Sequence, residues 1–249
     1  MSSRCVGRGR CSPSDRDGEG GCERRSRRRG HRPPLPPRVG VALSRRDAAA
    51  RDLTYPENYV LSEEGRNRMF NYFVNGQSLS AGFAADTYLS FLTAGDLTEW
   101  YRRLADRVGF VVVRTVAAYE SDGGIVSGVP RNYRLLHHAL GSATGGFDGT
   151  AHFRVVYASP DRYVTVFELV AGATIVGRGA PRERVAVETT VPVANVPERI
   201  EFRRVVETGA NGRFDVTVPH PGRYRIGDRT VRVTETDVRA GATVRIDGS

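Results

Sequence analysis

The chain has 249 residues and a mass of 27.3 kDa, with 39% hydrophobic and 26% charged side chains, too apolar for wholesale disorder and too polar for a membrane bundle. Its longest apolar run, 108–113, is far short of the roughly 20 residues that cross a bilayer, and no apolar segment follows the Arg-rich start as a secretory signal would require. The net charge of +9 is concentrated: residues 1–50 hold 13 Arg against five acids, the rest 24 against 23, and all 37 basic residues are Arg.

A complete preference for Arg over Lys points to GC-rich coding rather than to selection for phosphate contacts, since Lys binds phosphate well. Residues 1–51 contain Arg24-Arg25-Ser26-Arg27-Arg28-Arg29 and Pro33-Pro34-Leu35-Pro36-Pro37 with few apolar side chains, so they are expected to form a disordered Arg/Pro/Gly-rich tail. Cys5, Cys11 and Cys22 lie there without paired zinc-ligand spacing, and His31 does not complete a site. The same composition suits an Arg-rich nucleic-acid tail or, the reading favoured here, the product of a shifted frame in GC-rich DNA.

Residues 52–170 read as a small α/β domain. Tyr59-Val60-Leu61-Ser62 is a strand that delivers the chain to a helix capped by Ser62, with Glu63 and Glu64 in its first turn, a buried face of Met69, Phe70, Phe73 and Val74, and a stop at Gly76. Asp96 and Glu99 open a second helix whose stripe is Leu97, Trp100, Tyr101, Leu104 and Val108, ended by Gly109. Phe110 to Val113 follows as a strand covered on both faces. A further helix is expected from Pro130, with Tyr133, Leu136, His137 and Leu140 on one side, then strands at 152–158 and 163–170.

From 171 to 249 helical periodicity gives way to short alternating segments. Ile200, Phe202 and Val206 lead through Gly209-Ala210-Asn211-Gly212 to Phe214, Val216 and Val218 on a returning strand. Tyr224 and Ile226 face Val231 and Val233 across a turn at Gly227-Asp228. With 174–177, 185–191 and 243–246, about seven strands emerge, the spacing of an all-β sandwich of immunoglobulin or transthyretin type. The predicted fold class is therefore α+β or α/β, then all-β.

Catalytic signatures are lacking: there is no nucleophile elbow, zinc helix, phosphate loop with Lys or dinucleotide fingerprint. Gly123 to Gly128 reads as a loop, and adjacent His137 and His138 point to different sides of a helix. The densest polar cluster is Glu63, Glu64, Arg66, Asn67, Arg68, Asn71 and Asn75, where a strand feeds a helix. Its carboxylates suit a divalent cation or a hydroxyl and its guanidiniums a phosphate; an exposed capped helix accounts for the same residues. No residue is singled out as catalytic or as a metal ligand.

Three phrases resemble the C-terminal extracytoplasmic region of archaeal (halophile-type) oligosaccharyltransferase catalytic subunits: His152 to Ser159, Val166 to Gly177, and Gly212 to Pro219. Tyr59 to Ser62 and Asp106 to Val113 are similar to strands framing that family's soluble α/β domain, so the likeness covers about 52–249. The resemblance implies a membrane glycosyltransferase that moves a glycan from a dolichyl phosphate carrier to asparagine, with a divalent metal (Mn or Mg) in the intact enzyme's multi-helix membrane domain. Its Trp-Trp-Asp-Tyr-Gly signature has no counterpart here, because Glu63-Glu64-Gly65-Arg66 follows Leu61-Ser62. Acceptor recognition is thus carried over to no residue.

The expectation is a truncated extracytoplasmic portion of such a glycosyltransferase, inactive alone, with no cofactor of its own. Its partners would be the membrane domain of the parent enzyme or an acceptor protein. The alternatives are a non-enzymatic cell-surface interaction protein built on a β-sandwich, and nucleic-acid binding through the tail.

Overall fold

The computed structural model describes residues 58–78, 80–114, 120–121, 124–125, 149–160 and 163–246, all within one compact unit of the chain. The tail with its three cysteines, the helix expected from Pro130 with His137 and His138, and most of the Gly123 to Gly128 segment lie outside the described residues.

The first sheet has the order β1-β2-β6-β5, made of β1 (Tyr59–Leu61), β2 (Val108–Arg114), β5 (Phe153–Ala158) and β6 (Val164–Leu169). β1 runs parallel to β2, while β2 and β5 run antiparallel to β6. β3 (Glu120–Ser121) and β4 (Gly124–Ile125) make a separate short hairpin. As its unbroken apolar run predicts, β2 is buried on both faces. Val108, Val111 and Val113 enter one core with Phe91, Leu104 and Phe167; Phe110 and Val112 enter another with Phe70, Val74 and Val166.

Helix α1 (Glu64–Asn75) covers the second of these faces, and α2 (Gly82–Thr93) with α3 (Leu97–Leu104) the first. In α3 the Asp96 carboxylate accepts the N–H groups of Thr98 and Glu99 at 2.8 and 3.1 Å, the cap its sequence announces. The helix ends earlier than Gly109. Arg107 N–H bonds back to Leu104 and the Arg107 carbonyl accepts from Tyr59, so the chain has entered β2 before the glycine.

The first two helices depart from the sequence reading at three points. α2 was not foreseen, because its start offers neither a side-chain cap at Ala81 nor an acid in the first turn, although Ala84, Tyr88, Phe91 and Leu92 anchor it. In α1 the buried stripe is Asn67, Phe70, Asn71 and Val74; Met69 and Phe73 are 37% and 49% exposed, with Tyr72 beside them at 59%. Ser62 is not the cap either. The residue before the helix is Glu63, which makes no side-chain capping bond, and Ser62 Oγ accepts from Asn67.

Beyond β6 come β7 (Ala173–Arg178), β8 (Arg184–Val191), β9 (Ile200–Glu207), β10 (Arg213–Val218), β11 (Gly222–Ile226), β12 (Arg229–Val233) and β13 (Thr243–Arg245), close to the expected segments. They form two sheets, β10-β7-β13 and β12-β11-β8-β9. Ile175, Phe214, Val216 and Val218 from one and Val187, Phe202, Tyr224 and Val233 from the other share a core. The segment 209–212 does not close a hairpin: β9 pairs with β8, whereas β10 pairs with β7, so this turn carries the chain from one sheet to the other. A short helix, α4 (Glu235–Ala240), interrupts the strands where none was expected, held by a reciprocal capping box between Thr234 and Asp237. Val191, Val193 and Ile200 pack into the core of the first sheet, which joins the two halves.

Candidate functional site

The polar cluster at the β1–α1 junction is built on a geometric problem. β1 is an edge strand, paired only to β2, so the outward N–H and C=O of buried Val60 have no strand to meet. Asn67, Asn71 and Asn75, one helical turn apart, supply that partner. Asn71 Oδ1 accepts from Val60 N–H at 2.9 Å and its Nδ2 donates to the Val60 carbonyl at 3.0 Å. Asn67 Nδ2 donates to the same carbonyl at 2.7 Å while its Oδ1 accepts from Tyr59 Oη. Asn75 Nδ2 reaches the Asn58 carbonyl at 3.0 Å. The ladder stands in for a missing strand.

The charged members of the cluster face elsewhere. Glu63 pairs with Arg114 at the end of β2, Glu64 and Arg68 are exposed, and Arg66 is half-buried. The structure thus gathers Asn67, Asn71 and Asn75 on β1 and leaves Glu64 and Arg68 on the outer surface near Met69, Tyr72 and Phe73. Among the described residues no three His, Cys, Asp or Glu side chains converge, and Glu63 is already neutralised by a guanidinium. These residues do not fit a resident divalent cation.

A second polar cluster lies between the halves, and sequence reasoning missed it. Arg154 and Glu168 are cross-strand partners on β5 and β6, both buried. Arg154 Nε donates to Glu168 Oε2 at 2.9 Å, and its Nη1 and Nη2 donate to the two oxygens of Glu235 on α4 at 2.6 and 3.0 Å. Arg239 joins through Glu235 at 2.7 Å. Burial alone would lower the Arg154 pKa, but the hydrogen bonds and charges of Glu235 and Glu168 outweigh it and raise it. For Glu235 burial works upward, and Arg154 and Arg239 prevail, holding the carboxyl below its ordinary range. A charge inside each of two apolar strands was the available signal; α4 was not.

Two further histidines are buried or partly buried, and His220 lies close to Arg154 and Glu235. His220 is buried edge-on against Phe202, and burial, with Arg154 adding to it, pushes its pKa down to about 3. His152 stacks on Tyr101 with ring centroids 3.9 Å apart and lies 2.9 Å from the Ala171 carbonyl through Nδ1, which fixes that nitrogen as the donor. Burial lowers its pKa too. Burial thus disfavours the charged form of both rings, and the Arg154 cluster interlocks the two halves.

No family model and no curated protein matches the sequence. Solved structures do match. The architecture aligns with an Archaeoglobus fulgidus oligosaccharyltransferase, AglB, bound to an inhibitory peptide and a dolichol-phosphate, at 15% identity and a TM-score of 0.52, over 78% of this chain and 38% of that one. The fold is shared with an archaeal oligosaccharyltransferase. The A. fulgidus enzyme tethered to an acceptor peptide containing the NVT sequon gives 15% identity and a TM-score of 0.54, over 79% of this chain and 39% of that one. Its apo form gives 16% and 0.53, over 79% and 38%. The chain therefore spans about two fifths of the length of those structures. Among the described residues no helix is long and apolar enough to cross a membrane.

Proposed function

We propose that this chain is the extracytoplasmic C-terminal part of an oligosaccharyltransferase-like membrane glycosyltransferase, acting in protein N-glycosylation together with a catalytic membrane portion. In this reading residues 52–170 are an α/β domain and 171–249 a β-sandwich, and glycosyl transfer requires the membrane portion, its Mn or Mg ion and a dolichyl-phosphate-linked glycan. The single supporting observation is the shared fold, which covers 78–79% of this chain at TM-scores of 0.52 and 0.54. Glu63, Glu64, Arg66 and Arg68, with the amides of Asn67, Asn71 and Asn75 holding α1 in place, then shape the side that meets the acceptor protein or the membrane portion.

The test is made in the source cells. An antibody against residues 52–249 is expected to detect a membrane-sedimenting product much larger than 27.3 kDa, and deletion of the gene to remove glycans from cell-surface proteins. A product of the chain's own size, free of membranes, together with an unchanged glycoprotein profile would overturn the reading and favour a non-enzymatic surface module. The exposed Met69, Tyr72 and Phe73 are the observation that favours this second reading.

A further inference from the structure

The outer face of the sheet β12-β11-β8-β9 is rich in arginine, and its charges are arranged unevenly. Arg203 and Arg225 both reach the Glu188 carboxylate. Arg199 donates to the hydroxyl and the carbonyl of Thr190. Arg239, next to the sheet on α4, is held by Glu235. Arg223 on β11 and Arg232 on β12 are different. They are direct cross-strand partners, which sets their Cα atoms about 4.5–5.5 Å apart, and no described residue offers either guanidinium an acceptor. Like charges directly opposite on a sheet are destabilising, so this pair works against the hairpin that carries it.

The same two side chains line one cleft. It has a volume of about 380 Å³ and is completed by Pro221, Gly222, Val233, Thr234 and Glu235. Glu235 does not serve the pair, because its two oxygens are taken by Arg154 and Arg239. Thr234 does not either: its N–H and hydroxyl both go to Asp237. Two forked donors, both exposed, therefore border one space that Pro221 also lines. A tetrahedral oxyanion accepts from two guanidiniums at once and removes their mutual repulsion, and the cleft is larger than the oxyanion alone.

We propose that Arg223 and Arg232 form a binding site for a phosphate or sulfate group carried on a small organic body, with the body lying against Pro221. The site does not rest on the glycosyltransferase reading.

The experiment uses the full chain and a second opposed pair as its control, Arg178 and Arg213, which face each other across β7 and β10. Amide resonances are followed during titration with inorganic phosphate and with glucose 6-phosphate, ionic strength being held constant with chloride. Saturable shifts are expected at 222–223 and 232–234, tighter for the sugar phosphate. The double variant Arg223→Gln with Arg232→Gln is expected to bind about tenfold or more weakly, and Arg178→Gln with Arg213→Gln to bind as the parent does. Thermal melting is the second readout. Phosphate should raise the Tm of the parent and not that of the Arg223/Arg232 variant, which without phosphate melts no lower than the parent. Equal losses in both double variants would mark nonspecific attraction and overturn the proposal, as would no saturable shift in the parent, or sulfate and phosphate acting only as chloride does.

Discussion

Asn71 grips Val60 with both ends of its side-chain amide, accepting the backbone N–H at 2.9 Å and donating to the carbonyl at 3.0 Å. The residue acts as one rung of a β-ladder whose other rungs are Asn67 and Asn75. Asn71→Leu keeps the size of the side chain and removes the rung, so a buried N–H loses its partner. The expected cost is about 2–3 kcal/mol, read as a lower urea midpoint at unchanged slope. A midpoint equal to that of the parent would mean that water or a rearranged Asn67 satisfies Val60.

This ladder also shows where the sequence could be read and where it could not. Position 64 onward was legible as a helix, yet its inner face was misassigned, because Met69 and Phe73 are apolar and Asn67 and Asn71 are not. Hydropathy ranks those four by transfer to an apolar phase. What decides their direction is an unpaired strand edge, and an edge exists only once β1 has taken its place beside β2. The same holds for β10. Its alternation was plain, but alternation fixes a face and not a neighbour, so the hairpin with β9 was expected and the crossing to β7 was found. Strands 200–207, 222–226 and 229–233 were readable because alternation and turn chemistry agreed, with Gly227 at a φ of 61° between Ile226 and Arg229. Of the candidate site, the residues could be picked out from their density at a strand–helix junction; their inward hydrogen bonding could not.

The Arg154 cluster predicts an asymmetry between breaking and replacing a buried charge. Arg154→Met leaves Glu168, 3% exposed, without its main counter-charge and is expected to cost about 3–5 kcal/mol. Adding Glu168→Leu should recover much of that loss, since the charge left stranded is then gone and Glu235 keeps Arg239. Urea unfolding of the parent, both single variants and the double variant closes the cycle. A double variant as unstable as the sum of the singles would show that the two residues act separately.

His220 sets the response to acid. Its pKa is about 3 in the folded chain against an ordinary 6.5, so between those values the unfolded chain binds the extra proton and stability falls as pH drops from 6.5 toward 3. The slope contributed is at most about 1.4 kcal/mol per pH unit. Glu235 acts in the same sense lower down: its folded pKa is depressed, so its contribution is present above the ordinary carboxyl range and is lost as pH falls through the folded value. His220→Phe preserves the ring packed on Phe202 and the backbone carbonyl that accepts from Tyr224 Oη. Unfolding free energies at pH 7.5, 6.0 and 5.0 should converge on a flatter line for this variant. Parallel lines for parent and variant would remove His220 from the account.

Two glycines with nearly the same backbone angle should respond very differently to the same substitution. Gly212 has a φ of +70° and Gly227 a φ of +61°, so Ala at either position carries the left-handed penalty of about 1–2 kcal/mol. At Gly227 a Cβ meets nothing within 4 Å. At Gly212 it would sit 2.5 Å from the Gly179 carbonyl oxygen, the point where the turn after β9 passes the end of β7 on its way between sheets. Backbone cannot swing aside as a side-chain tip does, and Gly179 N–H is bonded to the Gly212 carbonyl at 2.9 Å, so the clash and the hydrogen bond are relieved together or not at all. Gly212→Ala is therefore expected to lower stability by about 2–4 kcal/mol and Gly227→Ala by about 1 kcal/mol. Matched thermal melts distinguish them, and equal losses would mean that the crossing turn yields as freely as an exposed hairpin.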